Sequence, residues 1–142
     1  MLVFGASWGI FPGAMSAPDW VRDCLGDALC FSRPANLIRE PAKAIDSLTA
    51  HYRNETLELS LDLGLYSNSS SELMTTRREA MTIDGRPAYM LRQGKSIALV
   101  VPAVHEGQSM KVKLSMLLRF QEQPQPELAR HIFQSIEFKP PR

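Results

Sequence analysis

Four leucines at every second position, Leu57, Leu59, Leu61 and Leu63, narrow most what this chain can become. Glu58, Ser60 and Asp62 stand between them and Gly64 follows. A period of two is that of a β-strand, so one side of the segment is wet and the other lies on a core. In a helix the same spacing would scatter the leucines around the axis. The alternation returns at Val112, Leu114, Met116, Leu118 and Phe120, set against Lys111, Lys113, Ser115, Leu117 and Arg119. Between the two segments, Arg77 to Ile83 and Arg86 to Arg92 flank Asp84-Gly85, a dipeptide suited to a two-residue hairpin turn. Pro87 fits only where the strand needs no N–H, such as a first residue. Ile97 to Val101 is an unbroken apolar run, expected as a central strand covered on both faces.

The remaining elements are fewer. Ala28 to Phe31 reads as a short first strand, Ser67 to Glu72 as a polar loop, and His105 to Gln108 as a turn. Ala42, Ile45 and Leu48, at spacings of three, predict a short helix within 35–50. Pro126 opens a closing helix with Leu128, Ile132, Phe133 and Ile136 on one face. Connections this short favour antiparallel pairing. The expected fold class is therefore α+β: a single antiparallel β-sheet with the C-terminal helix packed on one face. A chain of 142 residues, 44% of them hydrophobic, is sized for one such domain, over 18–142.

Residues 1–17 are set apart by composition. Met1 to Pro18 carries no charged side chain, and Leu2-Val3-Phe4 and Ile10-Phe11 make it strongly apolar. The run is shorter than the ~20 residues of a membrane span, and it ends in Ala14-Met15-Ser16, a small-x-small pattern of the kind signal peptidases accept. No Lys or Arg precedes the run. The alternative is an ordinary buried first element, against which Gly5, Gly9 and Pro12 argue. Export is the expectation, with a periplasmic or secreted destination and no stable membrane insertion after processing. Cys24 and Cys30 are the two cysteines, and in an oxidising compartment they can close a short loop worth about 2 kcal/mol. Two reduced, buried thiols are the other reading. The spacing is that of neither a CxxC redox motif nor a zinc site.

Short landmarks recur in a familiar order. Cys30-Phe31 with Pro34 is followed by Asp46-Ser47, by Leu61-Asp62-Leu63-Gly64-Leu65-Tyr66-Ser67, by Ile83-Asp84-Gly85-Arg86-Pro87-Ala88, and by Ala129 with Ile132-Phe133, Ser135-Ile136 and Phe138. In this order the chain resembles small exported bacterial proteins with the fold of Mog1, PsbP and DcrB. The resemblance implies an antiparallel sheet sandwiched by helices and a non-enzymatic binding role. It brings no catalytic residue, and nothing in these residues marks the GTPase-binding role of Mog1 or the photosynthetic role of PsbP.

Sixteen Lys and Arg against fifteen Asp and Glu leave a net charge of +1, which gives no long-range field for capturing a phosphate backbone, so nucleic acid is not expected as a partner. Gly5-Ala6-Ser7-Trp8-Gly9 spells the serine-hydrolase elbow but lacks the large α/β sheet that motif needs. His51, His105 and His131 are scattered without ligand spacing, and no metal or cofactor is expected. His131, beside Ile132 on the closing helix, is expected as surface or boundary packing. Glu58 and Asp62 share a wet strand face about 13 Å apart, beyond the ~5–10 Å of paired-carboxylate hydrolysis. Asn54-Glu55-Thr56 and Asn68-Ser69-Ser70 match glycosylation sequons by chance. Arg77, Arg78, Lys111, Lys113 and Arg119 form a basic stripe if their strands are neighbours, either an ordinary solvated face or a docking surface for an acidic partner.

These observations point to a non-catalytic binding domain acting through protein contact, of the kind an immunity protein, toxin inhibitor or envelope factor would need. A carrier of a small apolar ligand between sheet and helix is the second reading, with Met74, Met81, Met90, Met110 and Met116 as adaptable lining. A hydrolase using His105 with Glu106 or Asp62 is the third, and it lacks a nucleophile.

Overall fold

Residues 19–41, 48–64, 78–105 and 112–139 are described by the structure, a computed structural model. In chain order they form β1 (Trp20–Leu25), β2 (Leu29–Pro34), β3 (Ile38–Glu40), β4 (Leu48–Arg53) and β5 (Leu57–Gly64). These are followed by β6 (Arg78–Ile83), β7 (Arg86–Gln93), β8 (Ser96–Val101), β9 (Lys113–Phe120), α1 (Pro126–Gln134) and β10 (Glu137–Phe138). All the pairings are antiparallel. The strands divide between two sheets, one of seven in the order β3-β4-β5-β9-β8-β7-β6 and one of three in the order β10-β2-β1. The expectation of a single sheet is corrected here. Residues flanking the cysteines form a complete hairpin of their own, and Glu137 and Phe138, shortly after α1, return as a third strand on its far side.

The leucine alternation lands as expected. Leu57, Leu59, Leu61 and Leu63 are buried, and their intervening neighbours are half-exposed. On β9, Leu114, Met116, Leu118 and Phe120 join them on the same inner face. The Asp84-Gly85 turn joins β6 to β7 with both residues at positive φ, 49° and 81°, which fits the tight hairpin turn whose twist matches its strands. Pro87 is the second residue of β7, ahead of the ladder with β8 that begins at Tyr89.

β8 is covered on both sides. Ile97, Leu99 and Val101 enter the main core, while Ala98 and Val100 join Leu91 in a second buried cluster with Tyr89 and Leu117 against it. α1 closes the inner face through Ala129, Ile132 and Phe133, touching β2, β6 and β8. It therefore wedges between the two sheets as well as covering one. Pro126 opens the helix, and Ser135 closes it by donating from backbone N and from Oγ to the Ile132 carbonyl at 3.2 and 2.6 Å.

The short helix expected within 35–50 is corrected where the chain is described. Ile38–Glu40 and Leu48–Arg53 are strands β3 and β4, while Ala42 and Ile45 lie outside the described residues. The reason is a second period-two signal. Ala50 and Tyr52 are buried against β5, while Thr49, His51 and Arg53 face outward. The expected first strand, Ala28 to Phe31, becomes the turn end and first half of β2.

Candidate functional site

Among the described residues, two groups of polar side chains are weighed as a site. The first lies between the sheets. Tyr52, fully buried on β4, donates its hydroxyl to Asp23 Oδ2 on β1 at 2.6 Å. Arg33 on β2 donates Nε to the same oxygen at 3.1 Å, and its guanidinium lies 4.9 Å from the centre of the Tyr52 ring. Arg33 Nη1 also donates to the Leu37 carbonyl at 2.7 Å, so the group ends on the turn that leads into β3. Burial alone would raise the Asp23 pKa, but the bonds from Tyr52 and Arg33 and the charges of Arg33 and Arg39 hold it below the ordinary carboxylate value. Burial, with the adjacent Asp23 charge, pushes the Tyr52 hydroxyl well above its usual range. A phenol kept protonated and a carboxylate kept ionised are poor proton carriers near neutral pH. This group ties the sheets together.

The second place is the corner of the large sheet made by β3, β4 and β5. Ile38 and Glu40 on β3 sit opposite Arg53 and His51 on β4, on the sheet face away from the core. His51 Nδ1 stands 2.8 Å from Glu40 Oε1. Arg53 lies 3.8 Å from Glu40 and 3.2 Å from Glu58, and Glu58 lies 3.9 Å from Arg119 on β9. A row of alternating charges thus crosses four strands. The β4–β5 turn is fixed by Asn54, whose Oδ1 accepts from the backbone N–H of Thr56 and Leu57, both at 2.8 Å. Asn54 Nδ2 donates to Asn36 Oδ1 at 3.2 Å, bringing the turns before β3 and after β4 side by side.

A cleft of about 660 Å³ opens there, lined by Asn36, Ile38, Glu40, Arg53 and residues 54–56. A second, of about 440 Å³, lies across the same turn, toward Glu58, Lys95, Arg119 and Gln121. Ile38 is 64% exposed, the one large hydrophobic side chain so exposed among the described residues. β3 ends its sheet, so along its far side it pairs with no other strand among those residues.

The stripe expected of Arg77, Arg78, Lys111, Lys113 and Arg119 is placed only in part. Arg77 and Lys111 lie outside the described residues. Lys113 and Arg119 share the outward face of β9, opposite Gly64 and Glu58. Arg78 is on β6, with β7 and β8 between it and β9, so it is no cross-strand neighbour of theirs; its guanidinium stacks over Tyr89 at 4.5 Å.

The disulfide reading of Cys24 and Cys30 is borne out, with the two residues directly opposite across the β1–β2 hairpin. His51 is paired with Glu40, and His131 is an exposed residue stacked on Trp20 with ring centres 4.1 Å apart. His105 follows β8 while Asp62 lies within β5, and Glu106, the 5–9 motif, residues 1–17 and the Asn68 sequon lie outside the described residues. Met90 and Met116 are core residues, Met81 packs against the core, and Met74 and Met110 are outside the described residues. Among the described residues no three His, Cys, Asp or Glu side chains are placed to hold a metal, and no helix is long and apolar enough to cross a membrane.

The sequence singles out His51, Asn54, Glu58 and Arg119 one by one but does not bring them together, and it does not mark the Asp23, Arg33 and Tyr52 group. Asn54 was the available signal for the turn, and the Thr49 to Arg53 alternation for the strand that carries Tyr52 and His51. Asp23, Arg33 and Tyr52 gave none, because they meet only when two sheets come together. Comparison with models of protein families, with curated proteins and with solved structures returned no match to this chain.

Proposed function

We propose that this is a non-catalytic binding domain of an oxidising compartment, periplasmic or extracellular, and that it acts by protein contact at the β3 corner. The observation that carries the reading is Ile38, an exposed apolar side chain on a terminal strand, at the rim of a cleft and ringed by charged groups. An apolar anchor inside a polar rim is the usual anatomy of a protein contact. The edge of that strand, unpaired among the described residues, favours an extended segment of the partner, added as a further strand. Charge favours a partner whose apolar residue is flanked by basic ones. Arg53 is already shared between Glu40 and Glu58, which leaves Glu55 as the excess charge at the cleft.

The disulfide supports the choice of compartment, since such bonds persist where thiols are kept oxidised. The resemblance to Mog1/PsbP-like proteins belongs to the same proposal, supported by antiparallel strands closed by a C-terminal helix. An experimental structure superposed on that family tests this part.

The contact is tested with a photo-crosslinking residue at position 38, or at the exposed position 92 on β7 as control, in the protein's own source. A single partner joined from 38 and not from 92, whose purified form loses binding to Ile38→Glu, is the expected result. Equal capture from both positions, or unchanged binding by Ile38→Glu, overturns the reading.

A further inference from the structure

We propose that the Cys24–Cys30 disulfide is a redox control on strand β3, so that reducing it loosens the edge read above as the docking strand. The inference rests on that reading only for its purpose, since the coupling itself is a property of the free protein.

The observations form one connected path. Cys24 is an exposed residue on β1, and its bond to Cys30 fixes the β1–β2 hairpin. The residue just before it on β1 is Asp23, whose carboxylate holds both Tyr52 on β4 and Arg33 on β2. Arg33 in turn grips the carbonyl of Leu37, the residue immediately before β3. Leu37 is itself buried, with its N–H bonded to the Pro34 carbonyl at 3.1 Å. β3 is three residues long and, among the described residues, pairs with β4 alone, so its order depends on how firmly its entry is held.

A dithiol carries the reaction. One of its thiolates attacks a sulfur of the bridge, the S–S bond breaks, and the second thiol resolves the mixed disulfide. Two electrons and two protons pass to the chain, leaving Cys24 and Cys30 as thiols and the reductant as its own disulfide. The hairpin then loses the crosslink beside Asp23, and the hold passed through Arg33 to Leu37 slackens.

Amide hydrogen exchange on the full chain tests this without a partner, so failure of the docking reading does not touch it. Dithiothreitol is the probe. Reduction is expected to speed exchange about tenfold or more at those amides of Ile38–Glu40 that bond to β4, while Ile97 to Val101, in the middle of the large sheet, keep their protection. Asp23→Asn, with the disulfide intact, is expected to speed exchange at the same bonded amides, and reduction should then add less than about twofold. Exchange at those amides that reduction does not change, that is already unprotected in the oxidised protein, or that rises together with Ile97 to Val101 overturns the proposal. Asp23→Asn that leaves β3 protected removes the path argued here and overturns it equally. If that variant does not fold, the wild-type comparison still decides.

Discussion

Strand β8 runs through the large sheet with Ile97 to Val101 all buried, apolar side chains covering it from both faces. The small sheet has no such strand. β2 lends Leu29 and Phe31 and β1 its last residue, Leu25, to the common core, but β1 also shows solvent Arg22 and Cys24, and it is fastened by bonds. One is the disulfide. Another is Arg22, which donates to the Ser135 carbonyl at 2.9 Å and to Glu137 Oε1 at 2.5 Å. The third is the Asp23 carboxylate, set between Tyr52 and Arg33. Apolar burial is non-directional and grows with area, so a wide sheet can rest on it alone. A three-stranded sheet buries too little area and needs fastenings with fixed geometry. The difference teaches that the large sheet should answer to lost volume and the small one to lost bonds.

The strongest way to break that contrast is a cavity in the large sheet. Leu99→Ala, in the middle of β8, is expected to cost about 2–5 kcal/mol, read from denaturant midpoints. A cost below about 1 kcal/mol would mean that the large sheet does not depend on its packing.

Removing both cysteines as Cys24→Ala with Cys30→Ala is expected to cost about 2 kcal/mol and to lower the melting temperature. The loss should fall on the small sheet first, seen as early exchange of the Trp20–Leu25 amides.

Tyr52→Phe removes the hydroxyl alone. Asp23 keeps Arg33 and is one-fifth exposed, so the expected cost is about 1 kcal/mol. The pH dependence sharpens this test. Asp23 is held below its ordinary value in the folded state, so its contribution is present above about pH 4 and is lost as pH falls through the folded pKa. Tyr52 is raised, so its contribution is full below about pH 10 and is lost as pH climbs toward the folded pKa. Wild type should weaken at both ends. Tyr52→Phe should lose the alkaline weakening, and an unchanged alkaline limb would count against the tie.

The smallest effect is expected from Glu79→Gln. Glu79 makes a two-point pair with Arg130 on α1, at 2.6 and 3.2 Å, but both side chains are well exposed. The melting midpoint should stay within experimental error. A clear drop would mean that surface charge fastens the large sheet too.

Much of the large sheet was legible because its signals are local. Period two names a strand without reference to its neighbours, and Asp84-Gly85 names a turn through the positive φ that both residues adopt. Even so, Asp84 does more than turn the chain: its Oδ2 accepts the Phe138 N–H at 2.9 Å, bringing in the last strand from far along the sequence. The small sheet was half legible, through the cysteine pair and one apolar run. The candidate site was scarcely legible at all. Ile38 reads as one more apolar residue until its strand turns out to end the sheet, and Arg78 reads as a neighbour of Lys113 until two strands separate them.

Five of the seven strands of the large sheet, its hairpin, its closing helix and the chance of a disulfide were therefore written in local sequence, because each depends on residues within a few positions of one another. Only the packing of the folded chain settles that the described strands form two sheets, that Asp23, Arg33 and Tyr52 meet between them, and that Ile38 is exposed among the described residues. The alternation of a strand states which face is apolar, but not which strand lies next to it. That choice is made by the burial of the whole core at once, over contacts no local pattern records.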